Sequence, residues 1–169
     1  EKAVEVASNG LSKHPNDRTL LSQKAQAEVG NQNWPAAKLT LEALFDEDPN
    51  DPDTIGRLAS AYVQTNQVED ALDMVKERRP LLTGEARRRV ELIFGSVLYA
   101  SGDVDRAGVE FERLIAEDPN DPAPVLIWAD LLVGGKQWDR VGALVERWRT
   151  LHPNDADVPT SVALSLIAA

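Results

Sequence analysis

The tripeptide Pro-Asn-Asp opens at Pro15, Pro49, Pro119 and Pro153, at intervals of 34, 70 and 34 residues. A fixed period of this length marks a repeat architecture, so the register is read before any single residue. The long interval spans two units, one of which lacks the tripeptide and carries two extra residues. Other positions keep the same step. Ala3, Ala37, Ala71, Ala107 and Val141 align, as do Ala7, Leu41, Val75, Phe111 and Val145. A third column holds Ala25, Ala59, Gly95, Ala129 and Ala163. Three columns in one register make coincidence a poor explanation.

Each unit reads as two helices. Between Pro52 and Thr65, the residues Ile55, Leu58, Ala59 and Tyr62 fall at helical spacing. Asn66-Gln67 breaks the pattern, and Val68, Ala71, Leu72 and Val75 resume it toward Arg79. Asp51 can cap the first helix through its carboxylate, with Pro52 at the first helical position, where a missing N–H costs nothing. Asp121-Pro122 repeats the device. Pro49 and Pro119 stop the preceding helices, because proline forces the residue before it out of the α region. Antiparallel helices approach closely only through small side chains, so Ala25, Ala59, Gly95 and Ala129 are expected against Ala37, Ala71 and Ala107. Leu58, Phe94 and Trp128 fill one set of gaps between units, and Trp34, Val68, Val104 and Trp138 another. One hairpin cannot bury its apolar face alone, so stacking must supply the core.

The period, the small residue in the first helix, the Ala of the second helix and the closing proline together resemble the tetratricopeptide repeat family. The resemblance implies an all-α fold: a right-handed superhelical solenoid of antiparallel helix hairpins, forming a single array over residues 1–169. Full repeats are expected at 18–49, 52–83, 88–119 and 122–153, about four in number. Residues 1–15 read as the second helix of a partial repeat and 156–169 as the first helix of another, so the chain is expected to be a piece of a longer protein. Some positions depart from the pattern. Lys24 and Glu28 stand where the family places apolar residues, which predicts loose packing of the first full unit. Thr83 replaces the closing proline, and the turn glycine is present only as Gly102, with Gly135 one place early.

Composition narrows the partner. A formal net charge of −10 repels phosphate backbones and disfavours nucleic acid and anionic membrane surfaces. It also weighs against the RNA-reading pentatricopeptide type, which tends to be basic. No apolar run is long enough to span a bilayer, so membrane insertion is not expected. The chain has no cysteine, which excludes disulfides, thiolate metal sites and a Cys nucleophile.

The resemblance further implies a concave groove lined by the first helix of each unit. The corresponding positions are Thr19, Ser22, Gln26 and Val29, then Gly56, Ser60, Val63 and Gln64. Arg89, Leu92, Ser96 and Tyr99 follow, and then Leu126, Asp130 and Val133. Small, polar and moderately apolar residues of this kind can seat an extended or helical peptide. Some family members grip the carboxylate tails of chaperones with Lys, Asn and Arg. Here those positions hold Ser22, Gln26, Arg57, Arg89 and Ile93, of which only Arg89 keeps the expected character, so chaperone tails are not expected to bind that way.

The stretch 76–89 is unusually basic and holds the two-residue insertion. Arg78, Arg79, Arg87 and Arg88 form a candidate patch for an acidic partner segment, against the blander reading that they pair with neighbouring acids such as Glu91. The acids Asp46, Glu47, Asp48, Asp51 and Asp53 lack the ligand alternation and central glycine of a calcium loop, and turn and cap roles explain them better. His14 and His152 each precede a repeat proline and read as helix-end residues. The tryptophans and Tyr62 fall on packing columns. No phosphate-binding glycine loop is present, and no constellation of residues supports an enzyme, a metal or a cofactor. The expected function is therefore a module that binds a peptide or protein segment. The alternative is a structural spacer or oligomerisation segment in a larger assembly, for instance bacterial secretion or envelope machinery. The apolar stretch 158–169 makes self-association through exposed terminal helices part of that alternative.

Overall fold

The computed structural model describes residues 2–169, and among them the regular secondary structure is all helical. The helices are α1 (Lys2–Leu11), α2 (Arg18–Gly30), α3 (Trp34–Glu47), α4 (Pro52–Gln64) and α5 (Val68–Arg78). A 3-10 turn (Arg79–Leu81) leads to α6 (Gly84–Ala100), α7 (Val104–Glu117), α8 (Ala123–Gly134), α9 (Trp138–Leu151) and α10 (Asp157–Ala168). They form two compact units, residues 2–97 and 98–169.

The Pro-Asn-Asp tripeptide works as a stop and a start. Its aspartate accepts the N–H groups that the next helix leaves unpaired. Asp17 takes Leu20 N–H at 3.0 Å, Asp51 takes Asp53 N–H at 3.3 Å, Asp121 takes Ala123 N–H at 2.9 Å, and Asp155 takes Asp157 N–H at 2.7 Å. Asp51 also accepts the Thr54 hydroxyl at 2.6 Å and pairs with Arg18 at 2.8 Å. Burial pushes its pKa upward, but Thr54, the N–H groups of Asp53 and Thr54, and Arg18 outweigh that and hold the carboxyl below its usual value.

Where the tripeptide is missing, the chain solves the junction differently. The 3-10 turn absorbs the insertion, Leu82 is buried, and Gly84 takes φ +56. No proline follows to fix the next start, so α6 begins at Gly84 and runs 17 residues, against 13 for α2 and α4.

Within each hairpin the turn needs one left-handed residue. Gln32 (φ 56), Asn66 (φ 59), Gly102 (φ 86) and Lys136 (φ 57) occupy it. They stand 34, 36 and 34 residues apart, in step with the repeat. Only one of the four is glycine and one is asparagine, so the other two turns place a side chain disfavoured in that region.

In the first unit, Ala25, Ala59, Ala37 and Ala71 are fully buried where α2 meets α3 and α4 meets α5. Leu41, Leu44, Ile55, Leu58 and Val75 complete the core. The first full unit is not loose. Glu28 is only 3% exposed and accepts the buried Thr40 hydroxyl at 2.7 Å, with Lys24 at 3.7 Å. An acid in an apolar column is compatible with tight packing because one oxygen accepts the Thr40 hydroxyl and the other faces the Lys24 ammonium.

The second unit buries rings. Phe111 and Trp128 stack at 5.1 Å between centroids, and Tyr99 meets Trp128 edge-on at 5.8 Å. Trp148 is buried, stacks on His152 at 4.0 Å and donates its indole N–H to Asp155 at 2.6 Å. That bond, with the Asp157 N–H, keeps the Asp155 carboxyl below its usual pKa. The last helix leaves Leu164, Leu166 and Ile167 exposed, the last at 83%.

Candidate functional site

The first helices carry the expected groove residues, and the structure sorts them into three kinds. Gln26, Ser60 and Gln64 are exposed, beside the buried Ala25 and Ala59. They are free to meet a partner. The Ser60 hydroxyl bonds the Gly56 carbonyl of its own helix at 3.0 Å, and Ser96 does the same with Leu92, so these serines present small surfaces, not free donors. Ser22 and Gln26 face different recesses. Ser22 lines a polar cavity of about 150 Å³ with Arg18, Asp51, Thr54 and Arg57. Gln26 lines a larger apolar one of about 660 Å³ with Val6, Ala7 and Ala27.

A second kind is half-buried or already engaged. Gly56 is half-buried because Ile93 packs over it: a Cβ there would stand 3.1 Å from the Ile93 Cδ1. Its smallness serves close helix approach. Arg89 forms an ion pair with Asp53. Val63, Leu92 and Leu126 are half-buried. Tyr99 is half-buried against Trp128, and the exposed Asp130 accepts the Ser165 hydroxyl at 2.6 Å.

The third kind corrects the sequence reading. Val133 is 4% exposed and does not line an open surface. Both α9 and α10 pack on α8.

The arginine patch is largely turned inward. Arg79 donates to Glu91 at 2.5 Å, and its guanidinium lies 3.8 Å from the centroid of the Phe94 ring. Arg87 reaches the other Glu91 oxygen at 3.4 Å, and Arg78 approaches Glu77 at 3.5 Å. Arg88 is half-buried and engaged. The anion that organises the patch is therefore Glu91 itself, only 3% exposed. Its pairing is visible in the sequence, but its burial is not part of the sequence reading. The signal is its column, because Glu91 stands in register with Leu21, Ile55 and Val125, all buried.

Tyr62, read as a packing residue, is also a titrating group. Its hydroxyl donates to Glu42 at 3.1 Å. Burial, then the bond to Glu42 and the charges of Glu42, Asp70 and Asp46, push its pKa up to about 12. No helix among the described residues is long and apolar enough to cross a membrane.

Comparison with known proteins agrees with the all-helical repeat fold. Residues 29–87 match the family described as tetratricopeptide repeat. The fold resembles that of a thermophilic TPR protein from Thermus thermophilus, with a TM-score of 0.67, 19% identity, and 97% of this chain and 89% of that chain covered. It also resembles a tetratricopeptide repeat protein from Parabacteroides merdae, with a TM-score of 0.72, 21% identity, and 88% of this chain and 57% of that one covered. No curated protein matches the sequence.

Proposed function

We propose that this chain, which carries tetratricopeptide repeats, holds a peptide or protein segment on the first helices of its hairpins, α2 and α4 in the first unit. Tetratricopeptide folds generally mediate protein–protein interaction and are generally non-catalytic scaffolds. The observation that carries the finer reading is the row of exposed polar side chains Gln26, Ser60 and Gln64, one position after or one turn from the buried alanines. That row combines the side-chain amides of Gln26 and Gln64 with the small surface of Ser60 on helical backbone, which suits recognition of an extended or helical segment. Ser22, Val63, Arg89, Leu92 and Ser96 would contribute at its margins within the first unit. Tyr99, Leu126 and Asp130 are the corresponding contributors in the second. Gly56 and Val133 act in packing instead.

The test compares partner capture by the wild type and by Ser60→Arg with Gln64→Arg, both shown by circular dichroism to be folded. A partner retained only by the wild type supports the row as a recognition surface. Equal retention by both, or capture of nothing by either, removes that support. A second reading, self-association or a spacer role within an assembly, draws on the exposed Leu164, Leu166 and Ile167 of α10. It predicts a light-scattering mass above the monomer that falls when Ile167 and Leu164 become Ser, and a monomer mass at high concentration would sink it.

A further inference from the structure

We infer that the crevice between α3 and α5 is a docking site for a basic segment of a partner protein, one that brings cationic side chains to either side of an apolar anchor. The site lies on the second helices and does not depend on the first-helix row proposed above. The inference comes from two crevices that occupy the same place in the repeat and carry opposite charge.

In the second unit, α7 and α9 both pack on α8 and leave a crevice of about 310 Å³ between them. Trp128 and Leu144 line its apolar part. The charges on its walls pair across it: Arg140 of α9 reaches Asp105 of α7 at 2.8 Å, and Arg147 of α9 pairs with Glu112 of α7. This crevice supplies its own cations.

In the first unit, α3 and α5 both pack on α4 and leave a cavity of about 510 Å³. Its apolar part is Leu58, Phe45, Tyr62 and Met74. A constant step of 70 residues relates Leu58 to Trp128, Met74 to Leu144 and Glu42 to Glu112. The same step puts Asp70 where the second unit has Arg140, and Glu77 where it has Arg147. The two cations that tie the second crevice together are acids in the first. Asp46 and Asp73 add to them, so five carboxylates surround an apolar floor.

Little in the chain offsets this charge across the gap. Glu42 accepts the Tyr62 hydroxyl, and Asp70 accepts the Gln67 amide at 2.8 Å; both are neutral donors. Lys76 and Arg78 sit on α5 itself, at 3.5 Å from Asp73 and Glu77, whose side chains remain 73% and 71% exposed. Lys38 is turned to Gln67 at 2.6 Å and lies 5.9 Å from the centroid of the Tyr62 ring. The raised pKa of Tyr62 reports, after its burial, the same negative field. Like charges facing one another over an apolar floor are offset by a ligand that carries the missing cations, and its apolar portion gains by leaving water. The floor favours a polypeptide over a bare polyamine, which has no side chain to bury there.

The probe is a fluorescent synthetic helical peptide with arginines two turns apart and leucine between them, measured by anisotropy at physiological salt. Amide shifts in the isotope-labelled protein locate it. Binding to wild type with shifts at Leu58, Tyr62 and Met74 is expected. Asp70→Arg with Glu77→Arg should weaken it by about tenfold or more. Glu5→Arg with Asp139→Arg, the same change of net charge elsewhere, should leave it within about twofold. Absence of binding, equal weakening by both double variants, shifts outside α3–α5, or equally effective competition by spermidine would each overturn the inference. Thermal unfolding of each variant checks that lost binding is not lost fold.

Discussion

The two units of this chain fill one repeat pattern with different chemistry. The first buries two carboxylates, Glu28 and Glu91, and two threonines, Thr40 and Thr54. The second buries Phe111, Trp128 and Trp148 and, among the described residues, no charged side chain. Their crevices differ too: ion-paired across α7 and α9, and acidic on both walls between α3 and α5. The small-residue columns are alike in both because they govern how closely helices approach. Positions outside those columns need only be satisfied, by rings or by paired polar groups, and so they can diverge.

The largest test of this contrast is Trp128→Ala. It removes a ring held by Phe111 and Tyr99 and should cost about 3–5 kcal/mol. Hydrogen exchange should show the loss concentrated in residues 98–169, since repeat stability is a sum of local and neighbour terms. Uniform loosening of residues 2–169 would mean the two cores are not separable.

Glu91→Leu comes next. It removes the carboxylate that Arg79 and Arg87 share and should cost about 2 kcal/mol, less than for a fully buried pair because both arginines keep contact with water. Adding Arg79→Met should recover part of that cost in a chemical denaturation cycle. If the second change adds to the first, the pair is not the reason Glu91 is tolerated.

Asp51→Ala should cost about 1 kcal/mol, as a lost helix cap that also served Thr54 and Arg18. The Asp51 pKa is lowered on folding, so its contribution is present above the usual carboxylate value and fades as pH falls through the lower folded value. The gap between wild type and Asp51→Ala should therefore narrow in acid. A gap that stays constant down to the acid unfolding transition would deny Asp51 its ion pair and cap.

The smallest effects are gains. Lys136→Gly and Gln32→Gly relieve left-handed residues and should each add about 0.5 kcal/mol, the strain removed less the entropy glycine costs. Asn66→Gly should do less, because Asn tolerates that region. Glu77→Arg should add at most about 0.5 kcal/mol by building the pair with Glu42 that Arg147 makes with Glu112. Melting temperatures of the four variants check the order.

Much of this is legible in the sequence because the repeat repeats its reasons. Pro-Asn-Asp marks the helix ends at Asp51 and Asp121, and the structure extends the same cap to Asp17 and Asp155. The alanine columns mark the helix contacts. The junction at Thr83 is less legible, since with no proline or aspartate to fix it the helix start is set by Gly84 and the buried Leu82. The groove is legible only by resemblance, which assigns a position and not its exposure; Val133 lies in such a position and is enclosed. Glu28 reads as a packing fault from its column alone, because Thr40, which satisfies it, stands twelve residues on and on another helix. The acidic crevice needs the fold, because Glu42, Tyr62 and Glu77 come from three helices.

The contrast between the crevices is tested most directly by titrating Tyr62, followed through its ring carbon by nuclear magnetic resonance. Tyr62 should titrate at about 12, and Glu42→Gln should move it part of the way back toward 10. Because the folded state holds the proton more tightly, stability should fall as pH rises from about 10 to 12. A Tyr62 that titrates near 10 and ignores Glu42→Gln would contradict the account, for the first unit would then lack the concentrated negative charge that sets it apart from the second.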